Sequence, residues 1–152
     1  MSDGARFRAT APGRVNLIGD HTDYMGGLAM PMAVQLATTI DGVRREGTIR
    51  LRSNDVGGTI ELALPVEDPA TVTPAWGRYV AGVAAEVGRL DGRSAQGLDG
   101  VVSSTIPLGS GLSSSAALEV AVALALGDTG TPLEIARRCQ RAEQLATGVP
   151  CG

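Results

Sequence analysis

Residues 107–119 read PLGSGLSSSAALE. Gly109 and Gly111 let the chain bend tightly and let an anion come close to backbone N–H groups. Ser113, Ser114 and Ser115 then open an apolar segment that reads as a helix over 113–126, whose N-terminus carries partial positive charge. Upstream, 97–105 (GLDGVVSST) reads as a strand, so the glycine loop sits in a strand–loop–helix setting. Two readings follow from the residues: the serines cap a core helix, or the loop and its hydroxyls hold a phosphate group and a metal ion.

Downstream, Gly127 and Gly130 break the helix. Thr131, Pro132 and Glu134 then give a clean start for another, as N-cap, first position and third position, running to about Thr147. Upstream, 76–90 carries Trp76, Val80, Val83, Ala84 and Val87 at helical spacing. Residues 48–53 (TIRLRS) and 59–64 (TIELAL) alternate around NDVGG and read as a hairpin. Three prolines make 65–74 a loop. Residues 6–11 read as a first strand and 28–40 as a long strand in which Pro31 marks an edge or a bend. Strands followed by helices without strict alternation give an α+β domain.

Between the first two strands lies APGRVNLIGDHTDYMGG, residues 11–27, read as a glycine-bounded turn region. It gathers Arg14, Asp20, His21 and Asp23, and His21 is the single histidine of the chain. Carboxylates and imidazole hold hydroxyl groups directionally, so the turn suits a small polyol. Its composition equally suits a polar surface turn.

The 152 residues are enough for one domain with its own core. Aromatic residues are only 3%, so that core must rest on Ala, Val, Leu and Ile. All 13 basic residues are arginine, which removes any phosphate loop that depends on a lysine. A net charge of -3 and a pI near 5.1 argue against a nucleic-acid partner. Cys139 and Cys151 are too few for a zinc site and fit free thiols in a reducing compartment. The start lacks an apolar leader, and the longest apolar run, 116–126 interrupted by Glu119, is too short to span a membrane. These features give the expectation of a cytoplasmic protein without membrane partners.

The run GRVNLIGDHTDYMGG resembles the sugar-binding signature of the galactokinases, and PLGSGLSSSAALE resembles the nucleotide loop of the wider GHMP kinase superfamily. The resemblance implies the N-terminal domain of the GHMP kinase fold, residues 1–152 being its sugar- and ATP-binding part, incomplete and ending ahead of the catalytic aspartate and the C-terminal domain. It implies transfer of the ATP γ-phosphoryl group to the C1 hydroxyl of galactose, with Mg2+, by a full-length parent that is monomeric. Arg14 would stabilise the transition state. Asp20, His21, Thr22, Asp23 and Gly152 would hold the sugar, and Gly109, Ser110, Gly111, Leu112, Ser113, Ser114 and Ser115 would hold ATP. Ser115 and Glu143 would hold the metal. Asp20 stands where the family usually has glutamate and Met25 where asparagine is common. The shorter Asp20 keeps two alternatives open, an N-acetylgalactosamine or arabinose kinase and a non-catalytic galactose- and ATP-binding regulator. Without the aspartate the chain alone is expected to be inactive, and without a second domain the helix over 113–126 is expected to expose apolar surface, leaving the chain marginally stable and prone to aggregate.

Overall fold

The computed structural model describes residues 4–90 and 96–149; the expectations placed on Cys151 and Gly152 lie outside the described residues. In chain order it contains β1 (Arg6–Ile18), β2 (Met30–Glu46), β3 (Thr48–Ser53), β4 (Thr59–Ala63), α1 (Gly77–Gly88), β5 (Gln96–Ser104), α2 (Ser114–Ala125) and α3 (Pro132–Thr147). The strands form one sheet in the order β1-β2-β5-β3-β4. All neighbours are antiparallel except β3 and β5, which are joined through β4 and α1, the long crossover that a parallel pair requires.

Alternation decides which face is covered. Ile49, Leu51, Ile60 and Leu62 point into the core, while Arg50, Arg52 and Glu61 face solvent. The helices lie on the apolar face, with α2 against β1 and β2 and flanked by α1 and α3. The core is built from Ile40, Ile49, Leu51, Ile60, Leu98, Val80, Val83 and Val122 and many alanines, as the scarcity of aromatic residues requires.

Helix α3 starts as its sequence demands. Thr131 N–H donates to Glu134 Oε2 at 2.7 Å and Glu134 N–H donates back to Thr131 Oγ1 at 3.4 Å. It is held to α1 by buried Glu86, which accepts from Arg141 Nε at 2.7 Å and also pairs with Arg89. The two helices approach closely at Gly82, where an added methyl would strike the Ala142 carbonyl oxygen. Gly82→Ala is therefore expected to cost about 1–3 kcal/mol, read as a lower denaturant midpoint at unchanged slope.

Two expectations are corrected. The region 11–27 is a turn only in its second half, because β1 continues to Ile18, pairing Arg14 with Ala33, Val15 with Met32 and Ile18 with Met30. Backbone pairing with β2 prevails there over the weak side-chain alternation, and two register shifts, between Pro12 and Arg14 and between Asn16 and Ile18, accommodate it. Pro31 is tolerated because β2 is flanked at that point by β1 alone, the pairing with β5 beginning at Thr38. Helix α2 is also not stripped of partners. Ala117, Leu118, Ala121, Val122, Ala123 and Ala125 are buried, since the chain itself supplies sheet, α1 and α3 around them. On α2 only Leu124 is an exposed large apolar residue, whereas Leu17, Ile18, Met25, Leu28, Met30 and Met32 form a larger exposed group at the end of β1, the turn and the start of β2. Among the described residues no helix is long and apolar enough to cross a membrane.

Candidate functional site

The glycine loop is shaped by three residues of positive φ, Gly109 (69°), Gly111 (73°) and Ser113 (55°). Glycine takes this conformation without strain, whereas Ser113 pays roughly 1–2 kcal/mol for it. Strain of this kind in a non-glycine residue marks functional loops. Ser113 is the N-cap of α2, yet its side chain makes no capping bond. The first turn of α2 thus retains N–H groups that its own cap does not use.

The loop is tied to β1. Arg14 N–H donates to the Leu112 carbonyl at 2.9 Å, and a side chain at Gly13 would come within 2.8 Å of the same oxygen. Gly13 is therefore required for close approach. The two segments picked out in the sequence, about 100 positions apart, meet at this point.

On the other side of the loop, Ser115 Oγ donates to Glu143 Oε1 at 2.8 Å, joining the first turn of α2 to α3. A hydroxyl and a carboxylate oxygen are the hard donors that magnesium prefers, and magnesium takes few protein ligands when a polyphosphate supplies the rest. The pair fits that ion. No group of three or more His, Cys, Asp or Glu suited to a metal exists among the described residues. One turn beyond Ser115 lies Glu119, which is 1% exposed and whose Oε1 has no hydrogen-bond partner. Burial, reinforced by Glu143, pushes its carboxyl up to about 9, so it is neutral at pH 7. The signal for Glu119 was present in the sequence as the one charge interrupting an apolar run. The same burial pushes the Cys139 thiol up to about 12, so that cysteine is inert.

In the sugar-type segment, Arg14 is half-buried with Nη1 3.7 Å from Asp23 Oδ2. Asn16, which sequence reasoning passed over, donates from Nδ2 to the same Oδ2 at 2.9 Å. The Thr22 hydroxyl faces the Leu28 carbonyl at 2.7 Å and the Gly19 carbonyl at 3.1 Å, closing the turn on itself. His21 Nδ1 lies 3.1 Å from the Tyr24 hydroxyl, and Asp20 and His21 are exposed on the turn. The structure therefore brings Arg14 and Asp23 together, with Asp20 and His21 presented beside them.

A cavity of about 220 Å³ opens next to Ser114 and Ser115, lined by Trp76, Tyr79, Val56, Ile106 and Leu108 with Ser53, Asp55 and Ser104 at its polar margin. Trp76 is held by donation from Nε1 to the Gly57 carbonyl at 3.2 Å. In the sequence Trp76 is one of five residues at helical spacing over 76–90. Only the tertiary structure, which sets Trp76 at the start of α1 across a cavity from Ser104 at the end of β5, shows that it lines one.

The family model described as the galactokinase galactose-binding signature matches residues 2–42, and that of the GHMP kinases N terminal domain matches residues 78–152. The chain is 43% identical to galactokinase of Bos taurus over 94% of its own length and 38% of the relative's. It is likewise 43% identical to galactokinase of Streptomyces coelicolor, over 93% of the chain and 38% of the relative. The structure superposes on galactokinase of Lactococcus lactis complexed with galactose with a TM-score of 0.84 at 31% identity, covering 97% of this chain and 39% of that one. A mevalonate kinase shares the fold, with a TM-score of 0.76 at 24% identity. The chain thus spans about two fifths of the length of these galactokinases.

Proposed function

Because this chain belongs to the galactokinase family of the GHMP kinases, we propose that it supplies the sugar- and nucleotide-holding part of an enzyme that moves the γ-phosphoryl group of ATP to the C1 hydroxyl of galactose. The observation that carries this reading is the Arg14 N–H bond to the Leu112 carbonyl, which sets the arginine of the sugar segment beside the phosphate-type loop.

Each residue then has a physical task. The N–H groups of Gly109 to Ser115, opened by the three positive φ angles and the uncapped start of α2, receive phosphate oxygens. The planar base enters the cavity against Trp76 and Tyr79. Asp20, His21 and Asp23 orient the sugar hydroxyls, and Thr22 keeps the turn closed. Arg14, always charged and rich in donors, faces the negative charge that spreads over the transferring group. Magnesium, when bound with ATP, would be held by Ser115 and Glu143 and would neutralise phosphate charge. Phosphoryl transfer needs positioning and charge stabilisation more than covalent chemistry, and these residues provide both.

A second reading rests on Asp20, whose carboxylate reaches less far than a glutamate. A changed reach at the sugar would favour N-acetylgalactosamine or arabinose as the acceptor. A third reading is a regulator that binds galactose and ATP without turnover. The test is a phosphorylation assay on the full-length protein with ATP, Mg2+ and each of the three sugars, together with calorimetric titration of galactose. The proposal expects galactose to be both bound and phosphorylated at the highest kcat/KM. Preference for another sugar selects the second reading, and binding without product selects the third.

A further inference from the structure

We infer that Asn16 is the positioning residue that sets the sugar-facing geometry of Asp23, and through it the affinity for the sugar. This rests on the reading of Asp23 as a sugar ligand. Asn16 and Arg14 lie two apart on β1 and so point to the same side of the strand. The register shifts on either side of this pair re-aim the strand at the turn. Among the described residues, both contacts to the Asp23 carboxylate fall on one oxygen, Oδ2, with Asn16 Nδ2 at 2.9 Å and Arg14 Nη1 at 3.7 Å. Asp23 Oδ1 is thereby left to accept from a hydroxyl. A carboxylate only accepts hydrogen bonds, so the amide of Asn16 must present its NH2 to Asp23. Its Oδ1 then points inward, buried and without a partner. A buried acceptor with no donor is costly. An asparagine here is therefore a poor choice for stability, and a good one for holding a carboxylate in one rotamer without adding a charge. A lysine or arginine would hold Asp23 more tightly but would compete with the sugar for both oxygens, and an apolar residue would release it.

The test uses the full-length protein and the variants Asn16→Leu and Asn16→Asp, with galactose affinity by calorimetry, KM for each substrate, kcat and melting temperature. Loss of a hydrogen bond to a charged group is expected to weaken galactose about 10-fold or more in Asn16→Leu, in KM and in titrated affinity alike, with KM for ATP nearly unchanged. Asn16→Asp keeps the shape but sets two carboxylates within hydrogen-bond distance, and such a pair shares a proton. Its galactose affinity relative to the parent at the same pH is expected to be poor near pH 8 and to recover toward pH 5.5. The charged groups facing this point are Arg14 and Asp23, and exposed Asp20 and His21 on the same turn are common to parent and variant. Parent-like galactose affinity in both variants, or an equal loss for galactose and ATP tracking a fall in melting temperature, overturns the inference. Should Asn16→Leu not fold, the pH profile of Asn16→Asp decides alone. A parent protein that binds no sugar overturns the functional reading itself, which is a separate outcome from a parent that binds and variants that bind equally well.

Discussion

Replacing Arg14 by alanine is expected to lower kcat for sugar phosphorylation by on the order of 10³, the lower range for removing an arginine from a transferring phosphoryl group. The side chain is half-buried and held near Asp23, while its backbone N–H holds the nucleotide-type loop through Leu112. The substitution deletes the guanidinium but leaves that backbone bond intact, so loop geometry and ATP affinity should survive. Arg14→Lys keeps a charge but loses the planar fork of donors, and is expected to fall between the two. Steady-state kinetics decides the matter. A kcat within about threefold of the parent, with only the sugar KM raised, would show uniform binding and remove Arg14 from transition-state stabilisation.

The second large effect is on stability. The folded chain holds the Glu119 carboxyl at about 9 against an ordinary value of 4.5, because burial disfavours its charge and Glu143 adds to the effect. Between those two values the folded state keeps a proton that the unfolded state has released. Stability from this group is therefore fully present below the unfolded value and falls as pH rises toward 9, by at most about 1.4 kcal/mol per pH unit. Denaturant melts at about pH 5, 6.5 and 8 should show a falling midpoint for the parent. Glu119→Gln mimics the protonated form in shape and has nothing to titrate. It should match the parent near pH 5, flatten the profile, and exceed the parent by on the order of 3 kcal/mol near pH 8. Parallel profiles for parent and variant would show that Glu119 ionises freely in the folded chain.

Much of this protein was legible in the order of its residues. The capping box at Thr131 and Glu134, the TIRLRS and TIELAL hairpin and the strand–glycine loop–helix unit are local codes, each satisfied within a few positions, and the structure contains all three. Composition likewise dictated a core of small aliphatic residues. The two motif segments carried the family because their residue types and spacings are specific enough to match as strings. Other features depended on groups far apart in the chain. The extension of β1 through Ile18 was hidden because only pairing with β2 makes those residues a strand. Asn16 looked like part of a turn until Asp23 came within 2.9 Å of it. Trp76 showed only helical spacing until the start of α1 was seen to line a cavity. Glu119 looked like an interruption until it was found buried near Glu143 with Oε1 lacking a hydrogen-bond partner. The sequence by itself determined which local elements form and which chemistry their motifs can carry, because turns, caps and alternation are short-range. Tertiary structure alone decided that Arg14 meets Leu112 and that Ser115 meets Glu143, because hydrogen bonds between distant segments exist only after the sheet and helices have packed.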